Sequence, residues 1–213
     1  MSSRKRILGL DLDGTLIDAE RRQVELVEYL LSARGERLAA PADFWAKKRE
    51  GAATVEALVA AGFDSALAAD VAGRWREQIE DHVWLRRDEW LPGAREMLVQ
   101  IRSLGVGIAV LTARGDPRAL AEQVGWLRLN GLADIVHVVP PRHAVEEKAG
   151  MLSALGAAGF IGDSESDYQA ALRAGVPFVA VSTGQRSARF LARAGVPLIA
   201  HSLAEAVHRL GMA

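Results

Sequence analysis

The sequence predicts an α/β fold: a Rossmann-like parallel sheet flanked by helices, with a small all-helical segment inserted after the first strand. Three observations carry it. From residue 91 onward, short apolar runs alternate with helix-patterned segments, as parallel βαβ units with right-handed crossovers require. A buried-strand run beginning at Ile7 stands alone near the start. Between them, Ala19 to Trp90 has helical periodicity and no strand signal. Residues 1–17 and 91–213 are therefore assigned to the core, and 18–90 to a helical insert.

Length and composition set the frame. At 213 residues the chain suits one substantial domain, or a core with a small insert. Half the residues are hydrophobic and a quarter charged, ordinary proportions for a soluble globular protein. A formal net charge of −1 gives no global field toward nucleic acid or anionic membrane. No apolar run approaches the roughly twenty residues that span a bilayer, and the polar, basic Ser2–Arg6 opening does not suit a secretory signal. Cysteine is absent, which excludes disulfides and thiolate metal sites and fits the cytoplasm.

Taken in order, Ile7 opens the first strand. Val24, Val27, Leu30 and Leu31 then form an apolar helical stripe ending near Gly35. Pro41 breaks the pattern, and Asp43 is a candidate cap for a short helix carrying Phe44 and Trp45. Val55, Leu58 and Val59 make a third stripe, stopped by Gly62. Ser65 is a candidate cap for a fourth, with Leu67, Val71, Trp75 and Ile79 at four-residue intervals.

After Leu91, Pro92 suits the first turn of a helix whose face is Ala94, Met97, Leu98, Ile101 and Leu104. Val106 to Leu111 is the next strand. Asp116-Pro117 reads as a cap and first helical residue, and Asn130-Gly131 as the stop. Strands follow at 135–139, 159–161, 176–181 and 198–199, with helices at 145–155 and 166–174. Ser202 and Glu205 form a capping-box pattern opening the last helix. The run Arg-Ala-Gly-Val-Pro occurs at 173–177 and again at 193–197, one helix-to-strand junction used twice.

Polar residues gather where such a fold binds ligands, beyond the carboxyl ends of its strands. Asp11 and Asp13 follow the first apolar run, two residues apart and thus on one face if the strand persists. Buried carboxylates in such a pair call for compensation, and a divalent cation provides it. Thr112 follows the strand at 106–111, and Asp163 the strand at 159–161, with Asp167 one helical turn on. Each has a plainer reading: Asp13-Gly14 as a hairpin turn, Thr112 and Asp167 as caps, and Lys148, beside two glutamates, as a solvated helix residue.

Asp11-Leu12-Asp13-Gly14-Thr15 resembles the first motif of the haloacid dehalogenase superfamily, and Ile161 to Asp167 its fourth. Val110-Leu111-Thr112 resembles the second motif, and Lys148 stands where the third keeps its basic residue. Many relatives carry Lys-Pro there, where this chain has Lys148-Ala149, and Arg142 and His143 on the same loop are further candidates. The resemblance covers nearly the whole chain and points to the helical-cap, phosphoglycolate phosphatase-like members.

It implies a Mg²⁺-dependent phosphatase acting on a small phosphorylated metabolite. Asp11 is then the nucleophile and Asp13 the general acid and base. Asp11, Asp163 and the carbonyl of Asp13 bind the metal, and Asp167 helps hold a water. Thr112, Ala113, Arg114 and Lys148 hold the phosphoryl group. Asp13 is expected to have a pKa raised by burial when the insert closes. Neither nucleic acid nor membrane is expected as partner, and the protein is a monomer or homodimer. The insert's Lys47-Lys48-Arg49 and Arg74-Trp75-Arg76 are candidate substrate contacts or solvated helix faces. A phosphosugar mutase shares every motif, and a non-catalytic phosphometabolite-binding protein is a third reading.

Overall fold

The computed structural model describes residues 5–212; the basic opening over Ser2–Arg4 lies outside them. Its centre is a six-stranded sheet in the order β5-β4-β1-β6-β7-β8. The strands are β1 (Ile7–Leu10), β4 (Gly107–Ala113), β5 (Ile135–Val139), β6 (Gly159–Gly162), β7 (Phe178–Val181) and β8 (Ile199–Ala200). Every neighbouring pair is parallel. All four β7 residues are buried and β4 nearly so, which is why these strands read as continuous apolar runs.

Helices α6 (Ala94–Ser103), α7 (Pro117–Trp126), α8 (Ala144–Leu155), α9 (Glu165–Ala174), α10 (Ala188–Arg193) and α11 (Leu203–Arg209) cover the sheet. Leu8, Leu10, Leu98, Ile101, Ile108 and Val110 lie in its main core. Among the described residues no helix is long and apolar enough to cross a membrane.

Between β1 and β4 lie α1 (Glu20–Ser32), α2 (Pro41–Arg49), α3 (Thr54–Ala60), α4 (Ser65–Gln78) and α5 (His82–Leu85). They share an apolar cluster of their own, with Leu26, Val27, Leu31, Phe44, Leu58 and Val71 fully or almost fully buried. Each such side chain contributes about 1.5–3 kcal/mol against exposure. Two short strands, β2 (Ile17–Asp18) and β3 (Glu89–Trp90), pair antiparallel where the chain leaves the sheet and returns. Two residues are too few to leave a strand periodicity, so the sequence shows none.

Other departures are local. Pro41 opens α2 as its first residue, so Asp43 sits inside the helix and does not cap it. Asp64, one residue before Ser65, caps α4 by accepting from the backbone of Ala66 and Leu67. Gly93 takes a left-handed conformation (φ +73°) that separates Pro92 from α6, and Leu104, beyond the last turn, is exposed. β4 runs two residues past Leu111 because Thr112 and Ala113 pair with Val138 and Val139. Asp116 caps α7 as the sequence predicts.

Candidate active site

β1 lies between β4 and β6, and the chain steps outward from it in opposite directions. The carboxyl ends of these three strands therefore border the crevice at a topological switch point. The Asp11 amide donates to the Ile161 carbonyl (2.9 Å), carrying the β1–β6 ladder one step further and fixing Asp11 near Asp163. One carboxylate oxygen from each of Asp11, Asp163 and Asp167 falls within 4.8 Å of the others, and all three residues are buried.

Lys148, in the second turn of α8, reaches into this group. Its Nζ donates to Asp11 Oδ1 and to Asp167 Oδ1, at 2.6 Å each. Arg142 and His143 are exposed on the turn before α8. Asp167 is also held from behind, because its Oδ2 accepts from Ser164 Oγ (2.6 Å) in the capping box that starts α9. Asp163 Oδ2 accepts from the Gln185 amide at 2.5 Å. Gly14 (φ +78°) and Gly184 pack against the same oxygen, and a Cβ on either would collide with it. Asp11 Oδ2 and Asp163 Oδ1 have no hydrogen-bond partner among the described residues.

The electrostatics are short of positive charge. Burial pushes Asp11 up to about 7, against the pull of the Lys148 ammonium and with the charge of Asp167 adding to it. Asp163 is raised well above its ordinary value by burial, then by Asp11 and Asp167. Lys148 is raised: burial pushes it down, but Asp11 and Asp167 outweigh that. Three buried carboxylates around one ammonium, offering oxygen donors only, fit a small, hard divalent cation.

Asp13 belongs to a different group. Arg22 Nη2, from α1, lies 2.7 Å from Asp13 Oδ1, and Arg114 Nη2 lies 2.7 Å from both Asp13 oxygens. Arg22 Nε is 3.1 Å from Asp88 Oδ1, but at an angle that makes no hydrogen bond. Asp88 Oδ2 accepts from Gln123 Nε2 at 2.7 Å. The expected rise in the Asp13 pKa is not found. Burial does push it up, but Arg114, Arg22 and Lys148 together outweigh that and hold Asp13 below its ordinary value.

The other predicted site residues are near by. Asp11, Asp13, Ala113, Lys148, Asp163 and Asp167 line a cavity of about 160 Å³. Thr112 is buried next to Ala113 at the end of β4. Arg114 is buried too, and turns toward Asp13 and Gln123.

The family model for haloacid dehalogenase-like hydrolases matches residues 5–175. The chain belongs to that family. Among curated proteins this hydrolase is 26% identical to a phosphoglycolate phosphatase of Pseudomonas syringae, over 93% of its own length and 77% of the relative's. Among solved structures it resembles a haloacid dehalogenase-like hydrolase from Streptococcus pneumoniae. That match has a TM-score of 0.74 and 17% identity, covering 97% of this chain and 98% of that one. A family hydrolase from Deinococcus radiodurans gives a TM-score of 0.69 at 20% identity, covering 99% and 98%. The helical insert and these relatives put the hydrolase with the helical-cap, phosphoglycolate phosphatase-like members.

Arg22, Asp88 and Gln123 are the residues that sequence reasoning about this hydrolase did not single out. For Arg22 a signal exists. It stands four residues before Leu26 and eight before Leu30, both buried, and so falls on the inward stripe of α1. Gln123 carries the same mark, four residues after Ala119 and three after Leu120 on the buried stripe of α7, whereas Asp88 has none.

Proposed function

We propose that this phosphoric monoester hydrolase removes the phosphoryl group of a small phosphorylated metabolite by way of an aspartyl-phosphate on Asp11. The observation that carries the reading is the setting of Asp11: buried at the end of β1, paired with Lys148 at 2.6 Å, and beside Asp163 and Asp167. In the first step Asp11 attacks phosphorus, the bond to the ester oxygen breaks, and Asp13 gives that oxygen a proton. Water then attacks the same phosphorus while Asp13 takes its proton. The bond to Asp11 breaks, and inorganic phosphate leaves.

Lys148, Thr112 and the Ala113 backbone hold the phosphoryl oxygens, so catalysis is chiefly positioning and charge. Mg²⁺ would be held by Asp11, Asp163 and the carbonyl of Asp13, with Asp167 steadying a coordinated water. When bound it supplies the positive charge that Lys148 alone does not. Held by Arg22 and Arg114, Asp13 is ionised, the state that accepts a proton from water; to donate one in the first step it must part from a guanidinium and take up a proton from solvent. Arg114 thus serves the phosphoryl group through Asp13. Residues 18–90 act as a cap that excludes water, over a core of 1–17 and 91–213, in a cytoplasmic enzyme.

Two likenesses support this reading. The Pseudomonas relatives are phosphoglycolate phosphatases, and the Deinococcus neighbour carries bound phosphate and sodium. The test is phosphate release in Mg²⁺ from phosphoglycolate, sugar phosphates, nucleotides and phosphoamino acids, run beside Asp11→Asn. At least one ester is turned over, and Asp11→Asn lowers its rate roughly a thousandfold or more. A flat panel, or undiminished turnover by Asp11→Asn, ends the reading.

A further inference from the structure

Next to the small cavity at Asp11 lies a larger one of about 670 Å³, walled by the insert and by Gln185 and Arg186 of the core. Gln185 and Arg186 border both spaces. The volume lies in the range that holds metabolite-sized ligands, and far exceeds the needs of a two-carbon acid. Alanines and glycines before α3 and along α4 keep it open.

Lys48, in the last turn of α2, forms part of its wall. The residue is only 8% exposed, yet among the described residues no carboxylate lies within ion-pair distance of it. Its Nζ donates to Thr54 Oγ1 at 2.7 Å and sits 4.3 Å over the Trp75 ring. Burial, then repulsion from Arg186, pushes the ammonium down to about 8. The other buried basic residues, Arg22, Arg114 and Lys148, all pair with carboxylates. Arg186 is itself met by Glu165, at 2.8 and 3.0 Å. A hydroxyl and a ring face offset only part of the cost of a buried charge. Lys48 is therefore a cation lacking its anion, in the wall of an open chamber beside the reacting carboxylate.

We infer that this chamber takes the organic half of the phosphate ester, and that Lys48 binds a second anionic group there, a carboxylate or another phosphate. Lys48 is then a specificity residue, with Arg76 a second cation on the chamber wall. The inference rests on the phosphatase reading and deepens it: the substrate is a phosphate ester larger than phosphoglycolate that carries a second anionic group, a carboxylate or a second phosphate.

The test measures binding without turnover, by calorimetry on Asp11→Asn protein in Mg²⁺. Two matched pairs separate the sources of charge: glucose 6-phosphate against 6-phosphogluconate, and fructose 6-phosphate against fructose 1,6-bisphosphate. In at least one pair the more charged member binds about tenfold or more tighter. That ratio collapses when Lys48→Met is added and is largely kept with Lys48→Arg. A second readout needs no variant at Lys48: the more charged ligand raises the Lys48 pKa from about 8, followed by the Cε chemical shift, and its partner does not. Equal affinities in both pairs, or a ratio that survives Lys48→Met, overturn the inference. Failure of the active enzyme to release phosphate from any ester overturns the phosphatase reading instead, and leaves the binding ratio to be judged separately.

Discussion

Asp11 and Asp13 are two residues apart and both buried, yet they stand in opposite electrostatic settings. Around Asp11, three carboxylates share the single ammonium of Lys148. Around Asp13, two carboxylates, its own and that of Asp88, meet two guanidiniums, Arg22 and Arg114. Burial raises Asp11 to about 7, whereas the arginines outweigh burial and lower Asp13. Burial is common to both, so the cations hydrogen-bonded to each carboxyl decide the outcome: one shared ammonium on Asp11, two guanidiniums on Asp13. The first cluster is open to a further cation; the second is complete, and links the helical insert to the core.

The comparison is broken most directly at Asp163, which belongs to the first cluster alone. If that cluster takes Mg²⁺, the wild-type melting temperature rises with added Mg²⁺ and falls back in EDTA. At a hundredfold excess over Kd the gain is about 2.7 kcal/mol. Asp163→Asn abolishes this response and lowers phosphate release roughly a thousandfold or more, a loss above about 4 kcal/mol. A variant that still melts higher in Mg²⁺, with unchanged midpoint concentration, would place the cation elsewhere.

The second cluster is tested at Arg22, the cation between Asp13 and Asp88. Arg22→Met leaves both carboxylates buried with one guanidinium, that of Arg114. Removing one member of a buried ion pair costs about 3 kcal/mol, a fall in melting temperature of roughly 6–12 °C for a chain of this size. Adding Asp88→Asn to Arg22→Met removes one orphaned charge and restores part of the loss. Equal stability of Arg22→Met and wild type would show that the arginine contributes packing but no charge balance.

These two clusters were unequally legible in the sequence. Asp11, Asp163 and Asp167 each sit just beyond an apolar strand, so a local pattern marks them, and the parallel topology brings them together. Lys148 sits beside Glu146 and Glu147 like a solvated lysine, but it stands four residues before buried Leu152 on α8 and where the family keeps its basic residue. Its reach to Asp11 confirms the inward side. Arg22 follows Arg21, and the two read as one charged run, although their side chains are 54% and 3% exposed. The four-residue spacing to Leu26 tells them apart, and Lys48, four residues after buried Phe44, carries the same mark. Burial of Asp13 was foreseeable from its strand, but not the two arginines that reverse its effect. They arrive from α1 and from beyond β4, a tertiary coincidence. The β2–β3 pair escaped for a simpler reason, its length.

The smallest effect, and the finest distinction, lies at Asp88. Burial raises it to about 7, with Arg22 pulling it down and Asp13 pushing it up. The pull of Arg22 is weakened because their contact makes no hydrogen bond, and Arg114 is turned to Asp13. A carboxyl whose pKa is higher folded than unfolded stabilises the fold fully below the unfolded value of 3.8. That contribution drains away as pH rises, until it is gone above about 7. Asn resembles the protonated form and can still accept from Gln123, so it has no such decline. Asp88→Asn should therefore gain on wild type by about 1–2 kcal/mol between pH 5 and 7, then hold level. Denaturant melts at each pH measure it. A difference that stays constant from pH 5 to 8 would mean that Asp88 is ionised throughout and firmly paired with Arg22, and the second cluster would then be as fully ionic as its count of charges implies.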